Sequence, residues 1–228
     1  MSQPLYVAFT MDCERIVSES PPGGPETWEL SERTIRGYAD TLLGFGAKPI
    51  LVPECAEKHT TLFRDYANQG VELGLHTHPQ SFLDHHYTQY LAEYDLDTQS
   101  ELIALGKEVV ANAVGTAPRA YRAGNLSSNG DTFTALVELG FDVASNSSPG
   151  RDVSTFAAHW LGADPDAHWA NADDYMASGD LPCLEIPLTT NPKTRQPDGD
   201  SRDVRIERGT FTEWHLPALE NTFERMEG

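Results

Sequence analysis

Two short stretches carry residue types that can do metal chemistry. Val71-Glu72-Leu73-Gly74-Leu75-His76-Thr77-His78-Pro79 reads as a strand that ends in two histidines and is stopped by proline. Strand side chains alternate, so His76 and His78 point to the same side. Near the N-terminus, Leu5-Tyr6-Val7-Ala8-Phe9-Thr10-Met11-Asp12-Cys13-Glu14 has the same layout, an apolar run ending in Asp12 and Glu14 at a spacing of two. If the two strand ends meet, two neutral nitrogens and one or two carboxylates surround one point. That donor set suits a hydrolytic zinc-type site with a coordination position left for water. The competing readings are a pair of hydrogen-bonded interior histidines and a solvated acidic turn.

Two further residues can complete such chemistry. Arg122 follows a short apolar run and precedes Gly124. It is either a surface arginine or a fixed guanidinium that pairs with an interior carboxylate and orients it. His215, in Trp214-His215-Leu216-Pro217, is either a partly exposed histidine at a helix start or the acid that protonates a departing amine. His59, His159 and His168 lack supporting context and are read as structural. Residues 79–96 are rich in rings (Phe82, His85, His86, Tyr87, Tyr90, Tyr94), either core packing or the wall of a sugar site.

These residues need strands and helices to hold them. Residues 5–10 read as a buried parallel strand. Residues 15–30, with Ser20-Pro21-Pro22-Gly23-Gly24-Pro25, read as a loop, placed where it can cover a site or simply skirt the surface. Ser31 is the expected N-cap of a helix to about Phe45, with Ile35, Tyr38, Leu42 and Leu43 near helical spacing. Lys48–Pro53 is the next strand, and a helix to about Asn68 closes at Gly70. Asp97 is the expected cap of a helix to Val114, ended by Gly115. Arg119–Arg122 is a strand, Asp131–Leu139 a helix and Phe141–Ala144 a strand. From 146 to 180 the reading is long loops with a short hairpin. Leu184–Leu188 is a strand, 191–203 a polar loop, and Thr212–Met226 a helix interrupted or started by Pro217. Strand–helix alternation over 5–145 argues for a parallel α/β fold.

Composition narrows the function classes. The chain has 228 residues, 35 acidic against 16 basic, and a net charge of −19. Such a surface repels nucleic acid and anionic membranes. Many carboxylates with only Lys48, Lys58, Lys107 and Lys193 as lysines also fit a high-salt cytoplasm. No apolar run approaches the ~18 residues of a membrane span, and Met-Ser-Gln-Pro lacks a secretory signal pattern, so a cytoplasmic protein is expected. Cys13, Cys55 and Cys183 show no CxxC pair, which argues against disulfides and cysteine zinc sites; Cys13 has the wrong parity to join Asp12 and Glu14. No linker cuts the chain, so residues 1–228 read as one domain. The sequence sets no oligomeric state.

Phe9-Thr10-Met11-Asp12-Cys13-Glu14, Glu72 to Pro79 and Tyr121-Arg122-Ala123-Gly124-Asn125, in that order, resemble the first three motifs of the polysaccharide deacetylase family, carbohydrate esterase family 4. Asn129–Asn146 and Leu184-Glu185-Ile186-Pro187 resemble its later elements, so the likeness covers roughly residues 5–190. It implies a distorted (β/α) barrel of about seven strands and a divalent metal, most often Zn2+. It implies Asp12 as general base, Glu14, His76 and His78 as metal ligands, Arg122 as the tether of the base, and Tyr121 and Asn125 beside the substrate. The implied substrate is an N-acetylated sugar or glycoconjugate, with a non-sugar amide or a silent binding role as alternatives. The sequence departs from the pattern in three places. Gln80 stands where the second histidine usually lies, so His78 must substitute. Cys13 stands where a second aspartate is usual. The final Leu-x-His motif is poorly matched, with His215 as its candidate.

Overall fold

The computed structural model describes residues 6–19, 23–81, 86–206 and 209–227. Leu5, Ser20 to Pro22, Phe82 and His85 lie outside the described residues. In chain order the elements are β1 (Thr10–Cys13), α1 (Trp28–Gly44), β2 (Ile50–Pro53), α2 (Thr60–Asn68), β3 (Glu72–Leu73), β4 (Leu75–Thr77), α3 (Leu96–Val114), β5 (Ala120–Ala123), α4 (Gly130–Glu138), β6 (Val143–Ala144), β7 (Asp152–Val153), β8 (Ala158–His159), β9 (His168–Trp169), β10 (Leu184–Glu185), β11 (Thr190–Arg195), β12 (Ser201–Asp203) and α5 (Leu216–Glu227).

The strands form a parallel sheet, β1-β2-β3, and a second sheet ordered β4-β5-β6-β10-β9, parallel except for β9. This is the α/β fold that the alternation predicts. Among the described residues the strands do not close into a barrel. The two sheets meet at Gly74, the residue between β3 and β4. Its N–H still bonds Leu51 of β2, at 2.8 Å, while β4 has moved on to pair with β5. A Cβ on Gly74 would come within 2.8 Å of the Ala120 carbonyl and 2.7 Å of Val52, so only glycine lets the strand change partners here.

Helices cover the outer face. Leu75 and Thr77 meet α3 at Gly106, a small residue that lets strand and helix approach. Alternation then turns His76 and His78 to the inner face. Tyr121, opposite Leu75 in the register, also faces outward. Phe63, Tyr66, Leu102, Ile103, Phe133 and Leu136 fill the layer between helices and sheet.

Several boundaries differ from the sequence reading. The first strand starts at Thr10, not residue 5, and Tyr6, Val7 and Phe9 are exposed at 88%, 63% and 43%. Pairing rather than hydrophobicity sets the limit, because Thr10 is the first residue opposite Ile50. Helix α1 is capped by the Thr27 side chain; Ser31 is buried inside it against His59. Helix α3 is capped by Asp95, which accepts from the Thr98 N–H, rather than by Asp97. The polar segment 191–203 is largely a bulged hairpin, β11–β12. The short hairpin expected after residue 146 is β7–β8. No helix among the described residues is long and apolar enough to cross a membrane.

Candidate metal centre at the strand ends

The carboxyl ends of β1, β4 and β5 converge. His76 Nε2 lies 3.2 Å from His78 Nε2, His78 Nε2 lies 3.4 Å from Glu14 Oε1, and His76 Nε2 lies 3.6 Å from the same oxygen. Glu14, His76 and His78 are thus a group that could hold a metal ion. Tetrahedral zinc with bonds of about 2.0–2.2 Å would space its ligand atoms roughly 3.3–3.6 Å apart, close to the spacing of this donor set.

Tautomers agree with this. His76 Nδ1 lies 2.9 Å from the Arg122 carbonyl, which can only accept, so Nδ1 carries a hydrogen and Nε2 is the nitrogen turned to the cluster, able to ligate once it gives up its proton. His78 is packed against Gly124. A Cβ there would come within 2.5 Å of His78 Nδ1 and 2.6 Å of the Thr77 carbonyl. The glycine at the end of β5 therefore makes room for the second imidazole. The backbone of Gly23, in the loop after β1, reaches the Glu14 carboxylate from the other side.

Charge at this point is one-sided. Burial would raise the Glu14 carboxyl, but hydrogen bonds and charge from His76 and His78 hold it far below the usual carboxylate range. Burial would lower His76, yet Asp12, Glu14 and Glu54 around it push it up to about 9. Three carboxylates against two imidazoles and the Arg122 guanidinium leave an excess of acid that a divalent cation would neutralise.

Arg122 leaves β5 on the inner face and is buried. Its Nη1 donates to Asp12 Oδ1 at 2.8 Å and to Thr10 Oγ1 at 2.9 Å. Its Nε and Nη2 donate to the Ser145 carbonyl and hydroxyl, at 3.0 and 2.8 Å. The guanidinium is thus fixed to β6 on one side and presented to β1 on the other. The desolvation that raises Asp12 is outweighed by Arg122 and then His76, so its carboxyl sits below the ordinary range. Its side chain keeps 35% exposure, so the ionised group remains reachable.

The other predicted residues lie elsewhere or differently. Tyr121 is buried, its hydroxyl 2.6 Å from Thr77 Oγ1 and its ring against Phe141, so it packs the helix layer and presents no surface to a substrate. Asn125 follows Gly124 with φ 56°, and its Oδ1 is buried without a partner among the described residues. His215 lies in the turn before α5. Its Nε2 donates to the Arg205 carbonyl at 2.8 Å and its ring meets Phe211, contacts that do not bring it to the other predicted residues. Among the described rings of 79–96, Tyr87 and Tyr94 pack against the core and Tyr90 meets Phe156. Thr10, Ser145 and Glu54 escape sequence reading because their roles depend on which strand ends are neighbours.

No protein-family model and no curated protein matches the chain. Solved structures do. A protein from Mycobacterium smegmatis assigned to the polysaccharide deacetylases aligns over 96% of this chain and 70% of its own, at 19% identity and a TM-score of 0.55. One from Pseudomonas aeruginosa PAO1, assigned likewise, aligns over 96% and 71% at 13% identity and a TM-score of 0.50. The Puue allantoinase aligns over 96% and 71% at 14% identity and a TM-score of 0.50. The chain has a polysaccharide-deacetylase-like fold.

Proposed function

We propose that the chain is a metal-dependent hydrolase that removes an N-acetyl or other acyl group from a sugar or glycoconjugate. The observation that carries this is the convergence of Glu14, His76 and His78 on one point beside an ionised Asp12. The likeness in fold to proteins assigned as polysaccharide deacetylases supports the substrate class. Residues 1–228 are read as one catalytic domain. With β3 and β4 counted as one interrupted strand, the run from β1 to β9 supports a distorted barrel of about seven strands.

Glu14, His76 and His78 would hold the cation, and two imidazoles with one carboxylate favour zinc. The bound ion would supply Lewis acidity and a water of lowered pKa. Asp12 takes a proton from the attacking water on the oxygen that Arg122 leaves free. Arg122 keeps that carboxylate ionised and aimed. His76 and His78 are held by Arg122 and Gly124, so the donors are organised before substrate arrives. Asn125, next to Gly124, is assigned to contact the substrate. His215 hydrogen-bonds the Arg205 carbonyl, and we assign protonation of the departing amine to water in its place.

The test is elemental content of the purified protein, wild type against His78→Ala, followed by a panel of N-acetyl sugars and small amides with and without chelator. One zinc per wild-type chain, its loss in the variant, and chelator-sensitive release of acetate are expected. Metal-free, inactive wild-type protein would sink the hydrolase reading. The likeness to an allantoinase favours a second reading, a non-sugar amidase of the same fold. Turnover of the small amides but not the sugars would select it.

A further inference from the structure

Glu54 is a buried acid at the end of β2, 4% exposed, that the chemistry above leaves unused. Its backbone N–H donates to the Cys13 carbonyl at 3.0 Å. The next residue, Cys55, sends its Sγ to the same carbonyl at 3.2 Å. The Glu54 carboxylate turns back and accepts from the Arg15 N–H, Oε2 to N 3.1 Å. Glu14 therefore lies between two peptide groups, both held by Glu54. The Arg15 side chain adds ion pairs to Glu19 and Glu57, which fasten the rest of the turn to the segment after β2. Glu54 Oε1 is buried and has no hydrogen-bond partner among the described residues.

A buried carboxylate with one unsatisfied oxygen is costly. An apolar residue could fill the space, and the Cys13 bond uses only backbone. What the carboxylate adds is the hold on the Arg15 N–H. We propose that Glu54 is a positioning residue for the metal ligand Glu14, fixing the backbone on both sides of it so that its carboxylate meets His76 and His78. The inference rests on the metal reading above. It distinguishes this site from one in which the two histidines alone define the geometry. Outer partners of metal ligands matter because they limit the orientations a ligand can take.

Two substitutions separate the hydrogen bond from the charge. Glu54→Gln removes the charge but keeps an oxygen that reaches the Arg15 N–H. Glu54→Asp keeps the charge but is one methylene short of it. Zinc affinity is measured for each by competition with a chromophoric chelator, with the melting temperature of the metal-free proteins recorded beside it. The expected result is zinc binding about 10-fold or more weaker in Glu54→Asp, with Glu54→Gln close to wild type. Equal affinities, equal losses, the reverse order, or a lower melting temperature without weaker zinc binding would each overturn the assignment. Wild-type protein that takes up no zinc would instead overturn the metal reading beneath it.

Discussion

Two clusters of buried charge in this molecule are compensated in different ways. In the hairpin β11–β12, Asp200 and Asp203 meet Arg151 and Arg205, with contacts of 3.4, 3.1 and 2.6 Å. Among the described residues, two acids there meet two guanidiniums, and each group faces a partner of opposite sign. At the strand ends, Asp12, Glu14 and Glu54 face one guanidinium among the described residues, Arg122, and two imidazoles. A balanced cluster holds a fold together. An unbalanced one leaves an excess of acid, which a bound cation would neutralise under the proposed metal reading.

The largest break in this contrast is His76→Ala. It removes one of three donors, so zinc binding should weaken by well over the roughly 100-fold that loss of an outer partner costs, and turnover should fall to background. Zinc content and acetate release measure both. Asp12→Asn should keep zinc and lower kcat by about 10²–10⁴-fold, because it removes only the proton acceptor. An Asp12→Asn protein at full rate would remove the base assignment. Arg205→Met breaks the other cluster. It should destabilise the protein by about 1–3 kcal/mol in a urea titration, leaving the Asp203 carboxylate buried and unpaired, while zinc affinity stays unchanged. If zinc affinity fell with it, the two clusters would not be independent.

The two clusters were unequally legible in the sequence. Period-two spacing at strand ends is enough to place His76 with His78 and Asp12 with Glu14 on common faces. Arg122 stands out because a glycine follows it at a strand end. The order and type of most helices and strands also follow from periodicity and caps. What sequence cannot supply is adjacency. Thr10 and Ser145 hold Arg122 only because β1 lies across from β6, and Glu54 holds Glu14 only because β2 pairs with β1 in the observed register. The hairpin β11–β12 was hidden by its Pro, Gly and Asp content, which reads as loop although the segment pairs across a bulge. His215 misleads for the same reason. Its neighbours in sequence suggest a site, whereas its neighbours in space are Arg205 and Phe211.

That last point gives a smaller and sharper test. His215→Gln should change kcat by less than about threefold, against the 10²–10⁴-fold expected of a proton-transfer group, with the glutamine amide still able to donate to the Arg205 carbonyl. A loss in the larger range would mean that α5 moves toward the strand ends during turnover.

Glu185 shows a third way to keep a buried carboxyl, with backbone and hydroxyl donors and neighbouring His168 and, among the described residues, no guanidinium. Its Oε1 accepts from the N–H groups of Asn146 and Ser147 and from the Ser147 hydroxyl, at 2.9, 2.8 and 2.7 Å. These bonds and the charge of His168 only partly offset burial, which leaves its carboxyl raised above the ordinary value. The sign of the pH effect follows. A carboxyl that holds its proton more tightly folded than unfolded contributes stability below its unfolded pKa and loses it as pH rises through the folded one. Glutamine has no proton to lose and can keep the same acceptor. The melting temperature of Glu185→Gln should therefore gain on that of wild type between pH 4 and pH 7. A gap that narrowed over that interval would mean that the three donors stabilise the ionised form more than burial opposes it. Glu185 would then belong with Asp12, as a buried acid held in its charged state.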